Sequence, residues 1–85
     1  MMAIDPTRLP VSDLRLLIID DNPDDRSLYV RWIRHTAPSS FEIQQLETGE
    51  EGLEACKCCP PHCILLDYQL PDMTGLDFLE KVQSI

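Results

Sequence analysis

Short apolar runs alternate with amphipathic stretches along this chain of 85 residues. The run LRLLII (residues 14–19) is aliphatic except for Arg15, and CILLD (residues 63–67) is apolar up to its final aspartate. Such runs are typical of strands that are buried on both faces of a parallel sheet. In FEIQQLE (residues 41–47) apolar and polar residues alternate, which predicts an edge strand. The pattern therefore predicts three strands.

The segment after the first strand carries the signals of a helix start. Asn22 is the predicted N-cap, and Pro23 suits the first helical position. Pro38 lies beyond the helix and helps to end it. Two i,i+4 pairs predict a buried stripe on this helix, namely Leu28 with Trp32 and Tyr29 with Ile33.

Two further helices follow the other strands. Thr48 and Glu51 fit a capping box that opens a helix ending near Lys57. A third helix is predicted to start near Thr74 or Gly75. Its residues predicted to face inward are Leu76, Leu79 and Val82. The alternation of strands and helices predicts an α/β fold with a parallel sheet and helices on both faces.

Aspartates end two of the apolar strands. Asp20 and Asp21 follow the first strand, and Asp67 follows the third. Ligands of parallel sheets bind outside the carboxyl ends of the strands, and adjacent strands would bring these carboxylates together. Three crowded carboxylates favour a hard divalent cation, and few protein ligands favour Mg²⁺. The remaining aspartates of the two motifs are interpreted as helix-capping or surface residues: Asp24, Asp25, Asp72 and Asp77.

The charge balance limits the partners. Fifteen acidic residues against seven basic residues give a formal net charge of −8, which disfavours nucleic acid and anionic membrane surfaces as partners. Residues 1–13 lack the basic start and apolar middle of a secretion signal and are interpreted as a flexible leader. No apolar stretch approaches the length of a bilayer span. A cytoplasmic location is expected.

The segments LLIIDDNPDDR and ILLDYQLPDMTGLDFL resemble the receiver domain of bacterial two-component response regulators. The resemblance covers roughly residues 14–85. It rests on the acidic pair after the first strand, on Asp67 at the end of the third strand, and on Pro71 and Gly75 beyond it. It implies a flavodoxin-like sheet, with Pro71 and Gly75 shaping the loop before the third helix.

The resemblance also implies a site. Asp67 would accept a phosphoryl group from a histidine kinase or a phosphotransfer protein. The side chains of Asp20, Asp21 and Asp67, with the backbone carbonyl of Gln69, would hold Mg²⁺. The domain would be a signalling module rather than an enzyme. A phosphatase of the aspartate-nucleophile type is disfavoured because it needs a second aspartate at the position of Gln69.

The chain departs from the family in its extent, since it ends inside or just after the third helix of a fold with five βα units. Residues 14–85 are therefore interpreted as an incomplete receiver, truncated after the third βα unit. The third strand would be an unpaired edge, which favours self-association. The alternative function is an interaction or dimerisation module without phosphate chemistry. A fragment of a longer protein, such as a hybrid kinase or a response regulator, is equally compatible.

The stretch ACKCCPPHC gathers soft ligands. Cys56, Cys58, Cys59, His62 and Cys63 lie within eight residues. Zinc binding, redox sensitivity and a purely structural role stay open, although the spacing suits a zinc knuckle poorly. Cys63 begins an apolar strand and is predicted to be a small buried hydrophobe.

Overall fold

The structure is a computed structural model that describes residues 14–36 and 41–85. The predicted leader, residues 1–13, and Pro38 lie outside the described residues. The elements alternate as predicted: β1 Leu14–Ile19, α1 Pro23–Thr36, β2 Phe41–Leu46, α2 Gly49–Cys58, β3 Cys63–Leu66 and α3 Gly75–Val82. None of the described helices is long and apolar enough to cross a membrane.

The sheet has three parallel strands in the order β2-β1-β3. The most apolar strand, β1, lies in the middle, where it gains hydrogen bonds on both sides. Leu16 is in register with Ile43 on β2 and with Cys63 on β3. The alternating strand β2 lies at an edge, as its pattern predicts. In the described part of the chain β3 forms the other edge.

One face of the sheet, which we call the Leu17 face, carries the hydrophobic core. Leu17 and Ile19 of β1 point to this face and pack against α2 and α3. The buried cluster consists of Leu17, Ile19, Leu53, Cys56, Leu70 and Phe78. The approach of α2 is close, because a Cβ on Gly52 would lie 2.5 Å from Ile19 Cδ1 and 2.9 Å from Phe78 Cε2.

The opposite face, which we call the Leu16 face, carries Leu16, Ile18 and, on β3, Leu65. Leu16 and Ile18 are buried, and Tyr29 of α1 lines a cavity together with Leu65. Helix α1 therefore covers this face, while α2 and α3 cover the other. The predicted parallel α/β sheet with helices on both faces is confirmed.

The predicted buried stripe on α1 is wrong for one of its two pairs. No residue of α1 is fully buried. Tyr29 and Ile33 are half-buried, but Leu28 is 55% exposed and Trp32 is 66% exposed. The two pairs lie about 100° apart around the helix. The described sheet is only three strands wide, so it lies under the pair Tyr29 and Ile33 but not under the pair Leu28 and Trp32.

The helix starts agree with the expected caps. Asn22 Oδ1 accepts from the amides of Asp24 at 2.9 Å and of Asp25 at 3.2 Å. Thr48 and Glu51 form the predicted capping box of α2. Such caps occupy amides that the first helical turn leaves without an intrahelical partner.

The inward face of α3 agrees with the prediction at Val82, which is half-buried and packs against the core, and differs from it elsewhere. Thr74 and Asp77 form a capping box at its start, so Asp77 is a capping residue as expected. Leu76 and Leu79, predicted to face inward, are exposed. Phe78 is fully buried instead, because it lies on the helix row that faces Gly52 and Ile19 across the core.

Candidate functional site

The aspartates after β1 and β3 lie side by side at one end of the sheet. The parallel ladder continues past the strands, since Asp67 N donates to Ile19 O at 2.9 Å. On the other side, Asp20 N donates to Leu46 O at 3.0 Å. The register Ile19 with Leu66 therefore extends to Asp20 with Asp67. Side chains alternate along a strand, so both residues project toward the Leu16 face.

Three carboxylates converge there. One oxygen from each of Asp20, Asp21 and Asp67 lies within 4.8 Å of the others. Residues 14–36 and 41–85 contain no other group of three His, Cys, Asp or Glu side chains placed this way. Asp20 is buried, Asp67 is half-buried and Asp21 is exposed. The predicted metal ligands are thus brought together, with one open side.

The cluster is electrostatically unfavourable without a counter-charge. Burial raises the pKa of Asp20, and the negative charges of Asp67, Asp25 and Asp21 raise it further. A hydrogen bond from Asn22 N to Asp20 Oδ1, at 3.0 Å, partly opposes the rise in this pKa. Asp20 is only 5% exposed, so water solvates its charge poorly. A bound cation would relieve both the burial and the repulsion.

A small cavity adjoins the cluster. It has a volume of about 120 Å³. Its lining residues are Ile19, Asp20, Tyr29, Leu65, Leu66, Asp67 and Tyr68. Polar and apolar groups therefore meet at Asp67, in a space that can hold an ion with a few small ligands.

The loop between β3 and α3 is held close to Asp67. Gly75 N donates to Tyr68 O at 2.6 Å, and a Cβ on Gly75 would lie 3.0 Å from Asp67 O. Only glycine fits this approach without displacing the backbone of Asp67. Gln69 is exposed and forms an isolated antiparallel bridge with Thr74. Its backbone carbonyl as a metal ligand stays a prediction.

Asp72 fastens the same loop to α2. Its two carboxylate oxygens accept from Gly49 N and Glu50 N, each at 2.9 Å. Partial desolvation raises the pKa of Asp72, but these hydrogen bonds and the charge of Lys81 outweigh it, and the pKa is lowered. Asp72 is therefore a capping residue, as expected. That it caps a helix more than twenty residues earlier in the chain was not foreseen.

Arg26 is the neighbour of the cluster that the sequence reasoning missed. Its Nη1 donates to Asp20 O at 2.7 Å, and its Nη2 lies 3.7 Å from Glu47 Oε2. This side chain joins α1 to the ends of β1 and β2. The sequence does contain a signal for this role. Arg26 is a single basic residue directly after the acidic stretch DDNPDD, where a positive charge has acidic neighbours to pair with.

In the described residues the cysteines do not come together as a set of three metal ligands. Cys56 is buried in the core, whereas Cys58, Cys59 and Cys63 are exposed. The prediction that Cys63 is a buried hydrophobe is wrong. Cys63 lies on the edge strand β3 and alternates toward the Leu16 face, which α1 covers only in part. No three of these sulfurs and His62 come within ligand distance of one another.

Comparison with known sequences and structures identifies the family of this chain. The profile of the response regulator receiver domain matches residues 16–85. The chain belongs to the response regulator receiver domain family. It is 37% identical over 71 residues to a protein-glutamate methylesterase/protein-glutamine glutaminase of Rhizobium etli. It is 35% identical over 69 residues to the nitrate/nitrite response regulator protein NarL of Escherichia coli.

These matches cover most of this chain but little of the relatives. The two alignments span 84% and 81% of this chain, and 20% and 32% of the relatives. A solved signal receiver domain of a putative LuxO repressor protein from Vibrio parahaemolyticus superposes with a TM-score of 0.75 at 29% identity. That superposition covers 85% of this chain and 53% of the other. The chain thus corresponds to about half of a receiver structure.

Proposed function

We infer that this chain is a phosphoacceptor receiver, which takes a phosphoryl group from a histidine kinase or a phosphotransfer protein onto Asp67. The observation that supports it is the extended register, which sets Asp67 beside Asp20 and Asp21 with carboxylate oxygens within 4.8 Å. The family match supports the same role at the level of the domain. A signalling domain of a two-component system is the function that the geometry supports best.

The residues fit a hard divalent cation. Three carboxylates offer only oxygen, and Asp20 is a buried acid whose charge has no cationic side chain as a partner in the described structure. Asp20, Asp21, Asp67 and the Gln69 carbonyl would hold Mg²⁺. A bound Mg²⁺ would neutralise the carboxylates and screen the oxygens of an incoming phosphoryl group.

The chain's own residues provide the nucleophile and hold it in position. A carboxylate oxygen of Asp67 forms a bond to phosphorus while the donor oxygen or nitrogen leaves, giving an acyl phosphate. The ladder bond to Ile19 O and the contact with Gly75 fix the backbone of Asp67 for this attack. Asp67 is half-buried beside the cavity, so the attacking oxygen is accessible.

The test is the intact mass of the chain after incubation with acetyl phosphate and Mg²⁺. The unmutated chain is expected to gain one phosphate, which hydroxylamine removes. Asp67→Asn is expected to gain none. Asp24→Asn is the matched control, because Asp24 is exposed on α1 and outside the carboxylate cluster. It should be phosphorylated like the unmutated chain.

The outcomes separate phosphoryl transfer to Asp67 from metal binding by the carboxylates. An adduct that survives Asp67→Asn would place the chemistry elsewhere and contradict the assignment. No adduct on the unmutated chain, with Mg²⁺ binding that needs Asp21, would mean that the metal site forms without phosphoryl transfer. No adduct and no Mg²⁺ binding would contradict the whole proposal.

The second candidate function is an interaction module that carries no phosphate. It is supported by the edge position of β3, where Leu65 is 39% exposed, and by the exposed Leu28 and Trp32 on α1. Its test is sedimentation of the chain with and without Mg²⁺ and acetyl phosphate. A dimer that ignores both, and that Leu65→Lys dissociates, would favour this function. A monomer under all conditions would contradict it.

The cellular setting follows from the same proposal. We place the domain in the cytoplasm, where kinases of two-component systems act on receivers, with neither nucleic acid nor membrane as a direct partner of this segment. The domain itself is proposed to be a phosphoacceptor rather than an enzyme. Because the chain matches only a fifth to a third of the first relatives, the output that it controls stays outside the proposal.

A further inference from the structure

The cysteine-rich turn between α2 and β3 holds two thiols side by side. Cys58 is the last residue of α2, and Cys59 follows it as the C-cap in an extended conformation. Both side chains are exposed, and their sulfurs are 4.0 Å apart. This pair lies at the amino end of the strands, opposite to the carboxylate cluster.

The backbone around the pair is anchored. Cys59 N donates to Ala55 O at 3.0 Å, and Cys59 O accepts from Arg15 Nη2 at 3.2 Å. Two prolines follow, and then His62 N donates to Arg15 O at 2.9 Å. The turn is therefore tied to α2 on one side and to β1 on the other. Two thiols on an anchored backbone lose little freedom when one ligand joins them.

From this geometry we propose that Cys58 and Cys59 form a dithiol site for a thiophilic ion, of the class of trivalent arsenic and soft metal cations. An ion about 2.3 Å from each sulfur would bridge the 4.0 Å separation with an S–ion–S angle of about 120°. That angle suits planar three-coordinate metal ions. Trivalent arsenic is pyramidal and takes a narrower angle, which rotation of the two exposed side chains supplies by bringing the sulfurs closer together. The backbone does not need to move.

A disulfide fits the pair less well. Disulfide-bonded cysteines usually have Cα atoms about 4.4–6.8 Å apart, whereas adjacent residues are held at about 3.8 Å. A direct bond between Cys58 and Cys59 would strain the peptide that links them. A bridging ion avoids this strain, because it needs a wider separation of the sulfurs.

The other soft ligands of the turn stay outside the site. His62 Nδ1 accepts from Arg15 N at 3.0 Å, so the proton of the neutral ring is on Nε2 and neither nitrogen is free. Burial raises the pKa of the Cys56 thiol and keeps it from solvent. Cys63 is exposed but does not join the pair as a third ligand. The third coordination position of the ion is therefore filled by a ligand that the ion itself brings, and not by this turn.

The probe for the experiment is phenylarsine oxide, which supplies its own third ligand. It condenses with two thiols: two As–S bonds form, two S–H bonds and the As–O linkage break, and one water leaves. Arsenic stays trivalent, so no oxidant or reductant is needed. Intact mass of the reduced chain is expected to show one phenylarsenic group per chain, removed by dithiothreitol but not by an equal thiol concentration of glutathione.

Single variants locate the site. Cys58→Ser and Cys59→Ser are each expected to weaken binding at least about a hundredfold, because the second As–S bond is then no longer intramolecular. Cys63→Ser is the matched control, since it removes an exposed thiol outside the pair, and it should bind like the unmutated chain. Circular dichroism of each variant verifies that the fold is retained.

Three results would overturn the proposal. The first is an unmutated chain that takes up no arsenical. The second is an adduct that persists in both Cys58→Ser and Cys59→Ser. The third is an adduct that Cys63→Ser abolishes, because the site would then join different elements of the turn. None of these results depends on phosphorylation of Asp67, so the carboxylate cluster is tested separately.

Discussion

The two faces of the sheet are covered to different degrees. On the Leu17 face, two helices close over β1, and Phe78 has no exposed surface. On the Leu16 face, the described chain provides only α1, none of whose residues is fully buried. Asp20 and Asp67 both project toward this second face. The densely packed face holds the core, and the thinly covered face carries the carboxylate cluster.

The difference has a physical reason. The proposed site needs access from solvent for a cation and a phosphoryl donor, and the cavity beside Asp67 would provide it. Crowded carboxylates also oppose folding when no cation is present. The Leu17 face must therefore provide most of the hydrophobic stabilisation. Substitutions at four main positions, Phe78, Asp72, Asp20 and Trp32, measure how far the two faces differ.

The largest effect is expected from Phe78→Ala. Removing this fully buried ring leaves a cavity between α3, Gly52 and Ile19 and should lower the free energy of unfolding by about 3–5 kcal/mol. Urea denaturation measures it. Leu76→Ala is the control on the same helix, because its exposed side chain should change stability by at most about 0.5 kcal/mol. Equal losses for both would mean that α3 is not held by the Leu17 face.

The next largest effect is expected from Asp72→Ala, which removes both acceptors from Gly49 N and Glu50 N. The loss should be about 1 kcal/mol, as for a helix cap in solvent. Asp72→Asn keeps one oxygen acceptor and should lose less. If the alanine variant unfolds at the same urea concentration as the unmutated chain, the loop is not fastened to α2.

The stabilisation by Asp72 should depend on pH. The pKa of Asp72 is lowered in the folded protein, so its contribution is complete above the ordinary pKa of aspartate. It is lost as the pH falls through the lowered value. Urea midpoints of the unmutated chain and Asp72→Asn should therefore differ near pH 6 and converge in strong acid. A difference that is independent of pH would contradict the charge-assisted cap.

A smaller effect, of opposite sign, is expected from Asp20→Asn. Without divalent cations this variant should be slightly more stable than the unmutated chain, because burial and three neighbouring carboxylates disfavour the Asp20 anion. The amide can still accept from Asn22 N. Added Mg²⁺ should raise the thermal midpoint of the unmutated chain and have little effect on the variant. Asp24→Asn should respond to Mg²⁺ like the unmutated chain.

The smallest effect is expected from Trp32→Gln on α1. The indole is mostly exposed, so its loss should change the free energy of unfolding by no more than about 0.5 kcal/mol. The matched change on the same helix is Tyr29→Gln, which removes a half-buried ring that lines the cavity. It should cost more. A large loss for Trp32→Gln would show that the Leu16 face is covered by contacts that the monomer does not have.

The backbone course and the carboxylate cluster could be predicted from local sequence. Apolar runs ending in Asp20 and Asp67 define two strand ends, and parallel pairing alone brings those ends together. Helix starts at Asn22 and Thr48 follow from capping chemistry that acts within four residues. These features depend on residues that are close in the sequence or on the two-residue period of side chains along a strand.

The errors have a different origin. Helical periodicity finds the apolar rows of α1 and α3, but the width of the sheet decides which row is covered. Leu28 and Leu76 were therefore assigned to the interior although both are exposed. The ion pair of Arg26 with Glu47 and the hydrogen bonds of Asp72 to α2 join segments more than twenty residues apart. The local sequence does not indicate which distant carboxylate or amide these side chains contact.

The fastening of Asp72 to Gly49 also has a kinetic consequence. Gly49 and Asp72 are 23 residues apart, and the segment between them contains all of α2 and β3. Closing a segment of this length costs conformational entropy, so we expect the two hydrogen bonds to form late in folding. Changes at Asp72 should accelerate unfolding and leave the refolding rate almost unaltered. The carboxylate of Asp72 should therefore lengthen the lifetime of the native state without shortening the time that the chain needs to fold.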